Sequence, residues 1–229
     1  MKCLCFIFIC VILGISQNQY GVHGEGRPVT GRVTRSAFVE MGLHFVELLK
    51  LRIISNCVAN GFYIEDELKE SFKDLGVCLN KEKLYVSPRE DFLRNLKECS
   101  VEPIKLVKSC LTREQSYFPD FLYNMAKAQI DLIYDNRDVI SIYVPVCRKM
   151  FENPEIKRNY LNCLTESNKN HNSSTEIPPS VETYCERYLP RTHCLTDIFY
   201  NECSHIPKLR HYADERTKAI QYPCSQTYE

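Results

Sequence analysis

Hydrophobic residues recur along this chain at intervals of three and four, and strict alternation of apolar with polar residues is almost absent. Ile64, Leu68, Phe72, Leu75 and Leu79 share one face at helical spacing, and Phe38, Met41, Phe45, Leu48 and Leu49 share another. A third stripe carries Phe92, Leu96 and Cys99, and a fourth, on what reads as the longest helix, carries Phe121, Leu122, Met125, Leu132 and Ile133. The one β-like run is VISIYV at 139–144.

Local signals place helix starts. Ser87-Pro88-Arg89-Glu90 predicts Ser87 as the cap, Pro88 at the first helical position and Glu90 reaching back, and Thr112-Arg113-Glu114-Gln115 repeats the capping pattern. Pro88, Pro103, Pro119, Pro154 and Pro207 each stand before a stretch of helical periodicity. Past Gly42 only Gly61 and Gly76 occur, which argues against a turn-rich β architecture. The expected fold is therefore all-α, a disulfide-stapled domain of about eight to ten helices. Residues 166–180, ESNKNHNSSTEIPPS, break the periodicity and read as an exposed loop.

The first residues change the picture of where the protein works. MKCLCFIFICVILGI carries one cation, Lys2, ahead of an apolar run at 3–15, and polarity rises at Ser16. That pattern predicts a secretory leader over 1–24, followed by a polar arm at 25–35, a helical domain at 36–224 and a tail at 225–229. The run is shorter than the roughly 18 apolar residues of a membrane span, and no later stretch approaches that length, so no transmembrane segment is expected. With 29 basic and 29 acidic side chains the chain is neutral, which removes the electrostatic case for nucleic acid.

Of 13 cysteines, Cys3, Cys5 and Cys10 fall in the leader. The remaining ten are Cys57, Cys78, Cys99, Cys110, Cys147, Cys163, Cys185, Cys194, Cys203 and Cys224, an even number suited to complete pairing in an exported protein. No two cysteines stand close enough for a zinc clip, there is no HExxH motif, and the C-x-x-C spacing of redox sites is missing, so structural disulfides are the expected role. Spacing alone does not choose among the possible pairings, which number on the order of a thousand. Cys78, Cys99, Cys163 and Cys203 continue apolar helix faces and so should point at neighbouring elements. Pro190 is expected to break the 185–203 segment, placing Cys185 and Cys194 on two helices.

The ordered motifs Cys110-Leu111-Thr112-Arg113-Glu114, Pro145-Val146-Cys147, Asn162-Cys163-Leu164, the C-x8-C-x8-C run from Cys185 and the terminal Tyr222-Pro223-Cys224 carry a family likeness. Over about residues 99–224 the chain resembles the insect 27 kDa haemolymph glycoprotein family, secreted arthropod proteins of unassigned molecular function. Two departures stand out. Members commonly have a further cysteine near the position of Ile133-Tyr134, and Gly-Pro-Glu-Cys where this chain reads Val144-Pro145-Val146-Cys147. The resemblance implies a haemolymph or other secreted fluid protein and implies no enzyme.

No G-x-S-x-G, glycine-rich phosphate loop or cysteine–histidine pattern offers catalytic machinery, and an unrecognised hydrolase is the weakest of three readings. His193, His205 and His211 read as surface residues, and Glu65-Asp66-Glu67 as a carboxylate cluster that suits a helix start. No cofactor or metal is expected. With 14 tyrosines and 11 phenylalanines, a cavity for a hydrophobic molecule between helices is a candidate site. The expected function is that of a secreted, non-enzymatic glycoprotein of haemolymph type, carrying a small hydrophobic ligand or binding an extracellular protein. The alternative is a venom or salivary component on the same scaffold. Asn172-Ser173-Ser174 is the one N-x-S/T sequon, in the polar loop, so Asn172 should carry a glycan. Treatment of the native protein with a glycan-removing amidase should lower its mass by one N-glycan; an unchanged mass would refute the assignment.

Overall fold

The computed structural model describes residues 49–82, 84, 86–143, 153–169 and 176–228. The expected leader and polar arm, the 38–48 part of the Phe38–Leu49 stripe, Cys147 and Asn172 lie outside the described residues. Within them the chain is all-helical, with no strand. Seven α-helices follow in order: α1 (49–59), α2 (Glu65–Leu79), α3 (Arg89–Lys108), α4 (Phe118–Asp135), α5 (Pro154–Lys169), α6 (Val181–Glu202) and α7 (Pro207–Gln221). A π-helical turn at Val139–Tyr143 follows α4, and a 3-10 turn at Tyr222–Ser225 follows α7.

The helix count falls below the expected eight to ten because prolines read as starts or breaks are internal. Pro190 lies inside the 22-residue α6, the longest described helix, and Pro103 lies inside α3. An internal proline removes one backbone hydrogen bond, and packing on both sides of the helix can hold the chain helical across it. Pro119, Pro154 and Pro207 do stand in first turns. The VISIYV run is not a strand: Val139, Ile140 and Tyr143 of the π-helical turn pack against the core while Ile142 is exposed.

Caps also differ from the expectation. α3 begins one residue late, at Arg89, and extended Pro88 takes the cap position without a side-chain hydrogen bond. The Ser87 carbonyl instead accepts from the Tyr134 hydroxyl at 2.9 Å. At 112–117 the chain forms turns, with Gln115 Oε1 accepting from the Thr112 amide at 3.3 Å, and α4 starts only at Phe118. α1 ends in a Schellman turn: the Phe62 amide donates to the Cys57 carbonyl and the Gly61 amide to the Val58 carbonyl, each at 2.9 Å. Gly61 supplies the positive φ of 86° that this turn needs.

Packing centres on α4. Phe118, Phe121, Leu122 and Met125 join one apolar cluster, Ala126, Ile130 and Ile133 a second, and Leu132 a third. The predicted stripe on α4 is thus buried, and so are Phe118, Ala126 and Ile130 beside it. Asp120, Asp131 and Asp135 form its polar strip and pair with Lys108, Lys127 and Arg89. The stripes on α2 and α3 face the same core, with Leu68 at 0%, Phe92 at 2% and Leu96 at 2% exposure.

Four described disulfides staple this arrangement: Cys57–Cys110, Cys78–Cys99, Cys163–Cys194 and Cys185–Cys224. Cys203 is disulfide-bonded as well and fully buried. Cys185 and Cys194 share α6, contrary to the expected break. Nine residues are about two and a half helical turns, so the two cysteines face opposite sides, one bonded to the C-terminal turn and the other to α5. The end of the expected exposed loop is also drawn inward. Ile177 and Pro178 are buried because Asn56 Oδ1, Gln115 Nε2 and the Tyr117 hydroxyl satisfy their backbone at 3.2, 2.8 and 3.0 Å.

Between the first and third clusters runs a polar layer. Arg216 of α7, 1% exposed, donates to the Thr192 carbonyl at 3.4 Å and to the Thr196 hydroxyl on α6. Gln129 stands at the matching level of α4, between Met125 and Leu132. It is 0% exposed, and neither of its amide atoms has a hydrogen-bond partner among the described residues. An unmet buried amide costs roughly 1–3 kcal/mol. Gln129→Met, similar in volume and without that cost, should therefore raise stability by about 1 kcal/mol or more, read as a higher denaturant midpoint at unchanged slope. A lower midpoint would mean that the amide is satisfied in solution.

Candidate functional site

α1 to α4 enclose a half-open pocket of about 210 Å³. Leu49 and Ile53 of α1 form one wall, and Phe72, Leu75, Gly76 and Leu79 of α2 the next. Leu96, Ser100, Pro103, Ile104 and Val107 come from α3, and Pro119, Leu122, Tyr123 and Ala126 from α4. Leu49, Phe72, Leu75, Leu79, Leu96 and Leu122 belong to the amphipathic faces already identified, so the pocket is a gap between packed helices that opens on one side.

The gap has a cause in the residue types. Where the helices should interdigitate, α2 offers Gly76, α3 offers Ser100 and Pro103, and α4 offers Ala126, none of which sends a long side chain into the space. A Cβ built on Gly76 meets no atom within 4 Å. Two staples tie the walls to one another at the edge of the gap. Cys78–Cys99, with Cα atoms 5.7 Å apart, ties α2 to α3 beside Leu79 and Ser100. Cys57–Cys110 fixes the end of α1, one turn beyond Ile53, to the turn after α3.

A polar latch sets the position of α1 from outside the pocket. Asn56 and Gln115 exchange amide hydrogen bonds at 2.9 and 3.2 Å, and Asn60 Nδ2 donates to the Cys110 carbonyl at 2.9 Å. The Tyr117 hydroxyl next to this latch is pushed well above the ordinary tyrosine range, chiefly by burial. It stays a neutral donor to the Pro178 carbonyl at any physiological pH.

Among the described lining residues, Lys50, Ser100 and Tyr123 are the ones with polar side-chain atoms. Ser100 Oγ donates back to the Leu96 carbonyl at 2.6 Å, and Lys50 is engaged within the protein. Burial, with a smaller contribution from Asp131, raises the Tyr123 hydroxyl above its usual range, and Lys127 opposes that rise. Among the described residues the lining holds no carboxylate, imidazole or thiol, and most of it is apolar. Such a surface favours binding by removal of apolar area from water.

The other sequence candidates fall elsewhere. The cysteines staple helices away from the pocket interior. His205 and His211 are exposed and His193 is half-buried. Among the described residues no group of three or more His, Cys, Asp or Glu side chains is placed to hold a metal ion. Glu65, Asp66 and Glu67 occupy the first turn of α2. Sequence reasoning reached the idea of a cavity through the aromatic content but named none of its small residues. Gly76 carried the available signal, since an isolated glycine inside a helical pattern usually has a packing reason.

No protein-family model, no curated protein and no solved structure matches this chain.

Proposed function

We propose that this chain is a secreted, disulfide-stapled carrier of haemolymph type that holds one small hydrophobic molecule in the pocket between α1 and α4, without catalysing a reaction. The observation that carries the reading is the pocket itself: about 210 Å³ of apolar space among four helices whose spacing is fixed by two disulfides. A dry apolar cavity of about 150 Å³ is enough to bind benzene, so in proportion this one encloses about eight heavy atoms, and its open side admits a molecule of up to roughly a dozen. The apolar leader and the ten further cysteines support export. Among the described residues no helix is long and apolar enough to cross a membrane. The resemblance in cysteine order supports the haemolymph-type assignment, and no feature favours the venom or salivary alternative over it.

Titration with the fluorescent probe 1-naphthylamine, whose size matches the pocket, should show saturable binding to one site. Gly76→Leu places a side chain in the open space at that position and should weaken the probe at least about tenfold, while replacing a helical glycine keeps or raises thermal stability. Wild-type affinity in a folded Gly76→Leu variant, or no saturable binding by the native protein, would refute the proposal.

A further inference from the structure

The carrier reading leaves the chemistry of the ligand open, and the hydroxyls of the core narrow it. Tyr117, Tyr134 and Tyr228 each donate to a backbone carbonyl, those of Pro178, Ser87 and Pro223, at 3.0, 2.9 and 2.7 Å. Tyr200 bonds Asp214. Tyr123 differs: it lines the pocket, packs against the second apolar cluster, and its hydroxyl makes no hydrogen bond among the described residues. The other polar atoms of the lining are already committed, Ser100 to the Leu96 carbonyl at 2.6 Å and Lys50 to a partner within the protein.

We infer that the pocket selects a neutral, largely apolar molecule bearing one hydroxyl or carbonyl oxygen, and that the Tyr123 hydroxyl is the group that reads that oxygen. This inference rests on the carrier reading and adds its specificity. Tyr123 sits beside the Lys127–Asp131 ion pair, 2.9 Å between charged atoms, at the edge where α4 turns its polar strip to solvent. The oxygen of the ligand therefore lies toward the mouth and its apolar body among Leu79, Leu96, Leu122 and Ala126. A carboxylate is disfavoured, because its charge would lose water without a free cation in the lining to replace it.

Three ligands of one shape separate the possibilities: 2-naphthol, 2-methylnaphthalene and 2-naphthoate, each displacing bound 1-naphthylamine from the wild-type protein and from Tyr123→Phe. A single neutral hydrogen bond corresponds to a loss of about three- to tenfold on its removal. Tyr123→Phe should weaken 2-naphthol by about that factor and leave 2-methylnaphthalene within about twofold, with 2-naphthoate the weakest of the three in the wild type. Equal changes for 2-naphthol and 2-methylnaphthalene would mean that Tyr123 only packs, and would overturn the inference while leaving the carrier reading intact. Tightest binding of 2-naphthoate would overturn the neutral class. Failure of the probe itself to bind the wild type would instead remove the carrier reading beneath both.

Discussion

Burial of α4 is the constraint on which the rest of this structure depends. Its residues enter all three apolar clusters, and its one polar strip is closed by ion pairs to Arg89, Lys108 and Lys127. A helix of 18 residues buried on most of its circumference needs neighbours on every apolar side, and α2, α3, α6 and α7 supply them. The disulfides enter this core, with Cys57, Cys110 and Cys185 in the first cluster and Cys99 in the second. Beyond that packing they tie the elements covalently: α2 to α3, the end of α1 to the turn after α3, α5 to α6, and α6 to the C-terminal turn. Each such link stabilises by roughly 2–4 kcal/mol, largely by restricting the unfolded chain.

That division of labour explains how a void persists in a folded core. Void-lining atoms lose contacts, and a core free to move would close over the gap. Here the Cys78–Cys99 bridge fixes α2 against α3 at the pocket edge, which limits how far the two can shift relative to each other. The Asn56–Gln115 amide pair and the Cys57–Cys110 bridge do the same for α1. A preformed cavity binds without the cost of opening, which is the physical advantage of a stapled carrier over a soft one.

The 3.6-residue period made much of the fold legible. Leu68 and Leu79 on α2, Phe92 and Leu96 on α3, and Phe121, Met125 and Ile133 on α4 were all placed on core faces by spacing, and all are buried. Cys78 and Cys99 were read as pointing toward neighbours, and they join each other. Other features needed the tertiary context. Pro190 reads as a breaker, yet Cys185 and Cys194 bind α6 from opposite sides and the helix continues through it. Ile177 and Pro178 sit in a polar stretch, and only the amides of Asn56 and Gln115 and the Tyr117 hydroxyl, all distant in sequence, draw them inward. The pocket was the least legible part, because it is made of volume missing at Gly76, Ser100, Pro103 and Ala126. Each of the three helices looks ordinary alone, and the gap exists only where they face one another.

The central claim is that this protein holds a small neutral apolar molecule in the space bounded by α1 to α4. Native mass spectrometry of the protein purified from its native source, alongside a solvent extract of the same sample, tests it most directly. One reproducible extra mass per chain is expected, lost on denaturation and matched in the extract by an oxygen-bearing hydrophobic compound of about eight to a dozen heavy atoms. A protein that leaves its native source with only its own mass, and whose extract holds no such compound, would contradict it.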